Sequence, residues 1–218
     1  MEIPASPADL PEVIPIFPLA GAILLPRTVL PLNIFEPRYL AMVKDAMAGD
    51  RLIGMVQPRG DTAGTPAVFE TGGVGRITRF SETGDGRFLI ALTGLLRFRL
   101  AEELAVTTPY RQVRADYRPF LADWDPPAPL READRASLEE ALRSYLETQE
   151  LSADWDAVKG ADDESLVHTL AVVCPFDVLE RQALVEARDL AARARTLTTL
   201  MTFAGRVTPA ASSPDTLQ

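Results

Sequence analysis

The chain is poor in the side chains that make covalent links or metal cages: 218 residues contain one cysteine, Cys174, and one histidine, His168. A lone thiol excludes an intramolecular disulfide, and one Cys with one His cannot fill the four-ligand shell of a structural zinc site. Long apolar runs are missing too, and nothing approaches the roughly 18 residues of a membrane span. The N-terminus, Met1-Glu2-Ile3-Pro4, lacks the positive charge and apolar stretch of a secretory signal. The expectation is a soluble, cytoplasmic protein without membrane contact. Basic charge is scarce overall, with 22 Lys and Arg against 31 Asp and Glu and a net charge of -9. Residues 1–120 carry 13 of each sign, so the acidic excess lies wholly in the second half, which suggests two regions. An acidic chain repels phosphate backbones, so nucleic acid is not the expected partner.

What is present is a succession of short apolar segments marked by proline and glycine. After a Pro-rich lead (Pro4, Pro7, Pro11), Val13 to Phe17 and Val29 to Phe35 read as strands interrupted by proline. Proline cannot donate to a ladder, so edge or bulged strands are expected. Glu36-Pro37 opens a helix, with Tyr39, Leu40, Val43, Ala46 and Met47 at helical spacing until Gly49. The period then changes to two across Leu52 to Gln57, Val68 to Phe80, Arg87 to Thr93, Leu95 to Val106 and Tyr110 to Arg118. Gly84-Asp85-Gly86 is a hairpin signal. In Leu96-Arg97-Phe98-Arg99-Leu100 the alternation is strict, placing the arginines opposite the apolar row. Many short strands around one helix predict a small, partly closed barrel.

Phe120 to Pro129, with four of its last six residues being Trp124, Pro126, Pro127 and Pro129, reads as a connector. Beyond it the period is helical. Leu138, Ala141, Leu142, Tyr145 and Leu146 form one stripe, and Asp162-Asp163-Glu164 place acids at the start of a helix carrying Leu166, Val167, Leu170 and Val173. Pro175 ends that helix, and Asp177 with Glu180 has capping-box spacing for a further stretch to about Phe203. Residues 1–12 and 205–218 are expected to be flexible termini, residues 13–119 a barrel subdomain and residues 120–204 a helical subdomain. The fold class expected is α+β.

In order, these motifs resemble the N-terminal substrate-binding domain family of Lon-type ATP-dependent proteases. Ile14-Pro15-Ile16-Phe17-Pro18-Leu19 with Leu25-Pro26 is similar to the family's opening signature, and Leu30-Pro31-Leu32-Asn33-Ile34-Phe35-Glu36-Pro37-Arg38-Tyr39 to the segment entering its first helix. Glu70, Gly72, Val74, Arg76 and Ile77 resemble its glycine-centred strand, and Thr93 through Leu100 a later strand. Pro175, Glu180, Gln182, Leu184, Glu186 and Arg193 fall where the family has a proline, a short helix, a turn and a final helix. The resemblance implies a PUA-like barrel followed by helices, a turn near residues 187–189, and recognition of substrate polypeptide. The chain contains no Gly-x-x-x-x-Gly-Lys-[Ser/Thr] phosphate loop and stops at Gln218, so ATP hydrolysis and proteolysis are not carried over. A freestanding module is expected.

Candidates for bond-making chemistry are few. Ser165 and His168 sit three apart on a helix with no third orienting group. Cys174 reads as a small buried hydrophobe. The carboxylates of Asp162, Asp163 and Glu164 point in different directions, which favours helix-start electrostatics over a cation site. Gly72-Gly73-Val74-Gly75 lies in a strand pattern without a following helix, so a bulge or sharp bend is favoured over a phosphate loop. Binding anchors are better represented: Phe35, Tyr39 and the loop with Leu25, with Arg27 and Arg38 as rim charges. The expectation is a non-enzymatic polypeptide-binding module without cofactor or metal, an adaptor or regulator beside a separate protease or chaperone. An RNA-binding module using Arg97 and Arg99 is the alternative.

Overall fold

The structure, a computed structural model, describes residues 4–60 and 66–204; the expected tail after Gly205 lies outside them. Strands β1 (Val13–Pro18) and β2 (Val29–Ile34) precede helix α1 (Pro37–Ala48). Then come β3 (Leu52–Val56), a two-residue pair β4 (Pro58–Arg59) and β5 (Ala67–Val68), and the long strands β6 (Thr71–Glu82), β7 (Phe88–Glu103) and β8 (Gln112–Asp116). A 3-10 stretch, Arg118–Trp124, leads to helices α2 (Glu132–Thr148), α3 (Trp155–Gly160), α4 (Asp163–Val173), α5 (Val178–Glu186) and α6 (Leu190–Ala204). The main sheet runs β2-β7-β6-β3-β1-β8, and a second pairing of β7 with β8 closes it into a barrel. β7 is long enough for its first half to hold β2 while its second half holds β8.

Each half is organised by its own apolar contacts. Ile14, Ile16, Val74, Leu96, Phe98 and Val113 fill the closed part of the barrel. Tyr39, Met42, Val43 and Ala46 of α1 pack over Ile34, Ile77, Phe88, Ile90 and Leu92 at its open end. Leu138, Leu142 and Tyr145 of α2 join Val167, Leu184, Leu197 and Met201 in the helical core. The expected stripes of α1 and α2 lie against these cores, whereas in α4 Leu166, Val167 and Leu170 are buried and Val173 is exposed.

Several local expectations are met for physical reasons. Asp177 and Glu180 form the capping box, with Glu180 N–H donating to Asp177 and Asp177 N–H to Glu180, both at 2.8 Å. Residues 187–189 separate α5 from α6, and Arg181 donates to the carbonyls of Phe176 and Cys174 at the end of α4. The glycine run bends as expected, with register shifts beside Gly75 and Ile77. A side chain on Gly73 or Gly94 would overlap the carbonyl oxygen of Leu24 or Leu25, so the crossing of residues 24–25 over β6 and β7 demands these glycines.

Other expectations need correction. β1 is not an edge strand: its first half pairs with β8 (Ile14 opposite Val113) and its second with β3 (Phe17 opposite Met55). Pro15 is tolerated because it falls where the ladder switches partner. The two strands expected on either side of Gly94 are one 16-residue strand. Sequence periodicity also passes over β4, β5 and α3, the last only 6 residues long and capped by Asp154. Residues 4–12, expected to be flexible, lie against the barrel: Leu10 is buried and Tyr117 donates to the Pro11 carbonyl at 2.9 Å. Among the described residues no helix is long and apolar enough to cross a membrane.

Candidate functional site

The five expected contact residues fall in two places. Phe35, Arg38 and Tyr39 stand where β2 enters α1. Phe35 is 61% exposed, with the Arg87 guanidinium 5.9 Å from its ring. Tyr39 is buried, its ring 4.1 Å from that of Phe17, and burial raises its phenol above the usual range. Arg38 lies over the Tyr39 ring at 4.5 Å and donates to Glu36 at 2.9 Å. It is therefore an exposed cation held by an aromatic face and one carboxylate.

Arg38 and Tyr39 line a groove of about 320 Å³ whose other walls are Pro18, Leu19, Ala20, Pro58, Pro66, Pro109, Tyr110 and Arg111. Four prolines and two tyrosines give rigid apolar walls that cost little side-chain entropy on contact. Tyr110 donates to Asp45 at 2.6 Å, and burial together with that carboxylate pushes its phenol up to about 12. Arg111 is braced by Glu103 and by the Pro66 carbonyl at 2.9 Å. The rim thus presents two arginines, each already carrying one acid.

Leu25 and Arg27 lie elsewhere, at the seam between barrel and helices. Leu25 is fully buried and belongs to the helical core, so its side chain fills that core and is not offered at the surface. Arg27, at a positive φ of 62°, donates to both oxygens of Glu164 at 2.6 to 2.9 Å and to the Asp123 carbonyl at 2.6 Å. Its role there is to tie β2 to α4.

A larger polar cluster at the seam escaped the sequence. Arg97, expected on an exposed charged face, is 1% exposed. Its guanidinium makes two bonds to Asp123, at 2.7 and 2.9 Å, and reaches the carbonyls of Val185 at 2.8 Å and Arg188 at 3.2 Å. Gln57 and Gln182 form a second tie, with Gln182 donating to the Thr71 carbonyl at 3.1 Å. His168 is buried with its Nε2 2.9 Å from Arg193 Nη1. The arginine can only donate, so the ring nitrogen accepts and the imidazole is neutral. Burial, then the Arg193 charge, lowers its pKa to about 3.

The chemistry-bearing residues are accounted for by structure. Asp162 caps α4 through Ser165 N–H at 2.9 Å, Asp163 accepts from Leu130 N–H and Arg135 at 2.8 Å, and Glu164 holds Arg27. Cys174 is buried, which pushes its thiol up to about 11. Of the two arginines named for an RNA-contacting face, Arg97 is buried and Arg99 is exposed on β7.

Comparison with solved structures defines the class. The chain superimposes on the Lon N-terminal domain protein from Xanthomonas campestris with a TM-score of 0.61 at 23% identity, covering 86% of this chain and 97% of that one. It matches the N-terminal domain of the Mycobacterium avium complex Lon protease equally well, with a TM-score of 0.61 at 17% identity over 87% and 98% of the two chains. The fold is thus the α+β fold of Lon N-terminal domains. Residues 13–202 match the family described as the ATP-dependent protease La (LON) substrate-binding domain, and the chain belongs to that family. Among curated relatives, Lon protease 2 of Myxococcus xanthus is 30% identical over 203 residues, and the Lon protease of Cytophaga hutchinsonii 28% identical over 201. In both cases 88% of this chain covers 24% of the relative, so the chain spans about a quarter of their length.

Proposed function

We propose that the chain binds extended or unfolded polypeptide through the proline- and tyrosine-lined groove, without catalysing a reaction, as an adaptor or regulator in cytoplasmic protein quality control. One observation carries this reading: a 320 Å³ groove with rigid apolar walls and Arg38 and Arg111 at its rim. The walls suit apolar and aromatic side chains, and the arginines suit main-chain carbonyls or acidic groups of a guest. The family's description as substrate-binding supports it. The polar ties between barrel and helices hold the groove's platform still, which lowers the ordering cost of binding. On this reading residues 13–119 and 120–204 form two subdomains, with the guest held by the first.

The test is fluorescence anisotropy with labelled, reduced and carboxymethylated polypeptide that cannot refold. Wild type should bind, Ala20→Glu should weaken binding at least tenfold by filling the groove with an acid, and Arg38→Ala should weaken it severalfold. Binding that survives both substitutions would overturn the groove assignment, and a wild type that retains no unfolded chain would overturn the function.

A further inference from the structure

The sheet ends in a strand whose outer edge has the form of a hydrogen-bonding template. β2 is the terminal strand of the main sheet, with β7 as its one neighbour among the described residues. Gly94 N–H donates to the Thr28 carbonyl at 2.9 Å, and the antiparallel register continues from Val29 opposite Thr93 to Ile34 opposite Phe88. Residues in such a ladder alternate between exchanging bonds with the partner and facing the other way. Thr28, Leu30, Leu32 and Ile34 therefore face β7, and Val29, Pro31 and Asn33 direct their backbone groups outward. Pro31 is the position where a missing N–H costs the existing sheet nothing.

Edges left open are ordinarily blunted by charge, brevity, proline, bulges or cover, and Pro31 is such a device on β2. β2 carries no charged residue over its 6 positions. Val29 is 61% exposed at one end and Phe35 61% exposed at the other. Beside Val29 a groove of about 280 Å³ runs along α4, with Val172 and Val173 on its far wall. At its other end β2 leads through Phe35 directly into Arg38 and Tyr39 of the proline-lined groove.

We propose that an extended polypeptide segment adds to the sheet as a strand along the outer edge of β2, about six residues long, with apolar side chains seated against Val29, Val173 and Phe35. This inference rests on the polypeptide-binding reading and specifies how the guest is held: by main-chain bonds to Val29, Pro31 and Asn33, a mode tolerant of guest sequence. The occupant follows from the edge itself, since only an extended backbone pairs with donors and acceptors spaced at the strand repeat.

The experiment uses a fluorescein-labelled octapeptide of alternating threonine and valine with lysine at each end. Asn33→Pro removes an outward N–H, as Pro31 already does, and should leave the thermal midpoint nearly unchanged while weakening binding at least tenfold. Amide exchange on the wild type is the second readout: N–H groups of Val29 and Asn33 should slow at least tenfold when peptide is added. Peptide bound equally by wild type and Asn33→Pro, with unchanged exchange at both amides, would overturn strand addition while leaving groove binding standing. No binding by wild type, to this peptide or to unfolded polypeptide, would remove both. Protection of the two amides without peptide, in a dimer that Asn33→Pro dissociates, would assign the edge to a second copy and overturn the proposal.

Discussion

Substituting Asp123 with alanine tests whether the buried Arg97 cluster is the joint between barrel and helices. Asp123 supplies three acceptor contacts to Arg97: 2.7 Å to Nε, 2.9 Å to Nη2 and 3.1 Å to its backbone N–H. Removing one member of a buried ion pair typically costs about 3–5 kcal/mol, because the partner charge stays desolvated. Asp123 retains 13% side-chain exposure, and Arg97 keeps carbonyl partners on Val185 and Arg188, which places the expected loss near the lower end, about 3 kcal/mol. For a chain of this size that corresponds to a fall of about 6–12 °C in Tm. Urea titration followed by tryptophan fluorescence measures it, since Trp124 packs against the barrel core and Trp155 against the helical core. Arg97→Met should cost a similar amount, and Arg97→Met with Asp123→Ala should cost less than the two single losses added. A loss under about 1 kcal/mol for Asp123→Ala, or strict additivity in the double variant, would refute the account of Arg97 as a desolvated charge dependent on Asp123.

Three further outcomes follow from the same structure. His168 is held neutral, its pKa lowered to about 3 by burial, so the unfolded chain binds one more proton below the ordinary histidine value. Stability is therefore fully present above pH ~6.5 and falls toward pH ~3 with a slope of about 1.4 kcal/mol per pH unit from this group; His168→Gln should flatten that slope in pH-dependent urea titrations, and an unchanged slope would refute it. Gly73→Ala should cost about 1–3 kcal/mol, because its new methyl meets the Leu24 carbonyl, whereas Gly84→Ala, in open space, should be neutral; equal melting temperatures would contradict the crossing described. Cys174, buried with its thiol pushed up to about 11, should react with a disulfide reagent at pH 8 only as fast as the chain opens, so labelling should track urea concentration, and rapid labelling of the native protein would place the end of α4 at the surface.

Short-range chemistry made much of this molecule legible before any coordinates. The helix at Pro37, the capping box at Asp177 and Glu180, and the helical stripes through Leu138 to Tyr145 each depend on neighbours within a few residues. The order of the proline- and glycine-marked motifs was enough to suggest the family. What stayed hidden depended on distant partners. Alternation in β7 puts Arg97 and Phe98 on opposite faces, but which face meets water is decided by what lies on it. Here that is the carbonyl of Val185, 88 residues further on, together with Asp123. For the same reason Leu25 looked like a surface anchor and proved to be core, and Pro15 looked like an edge marker inside a strand paired along both halves. Only the closed sheet determined that β2 ends it with β7 as its one neighbour among the described residues, because a strand's neighbours come from the whole chain and not from its own six residues.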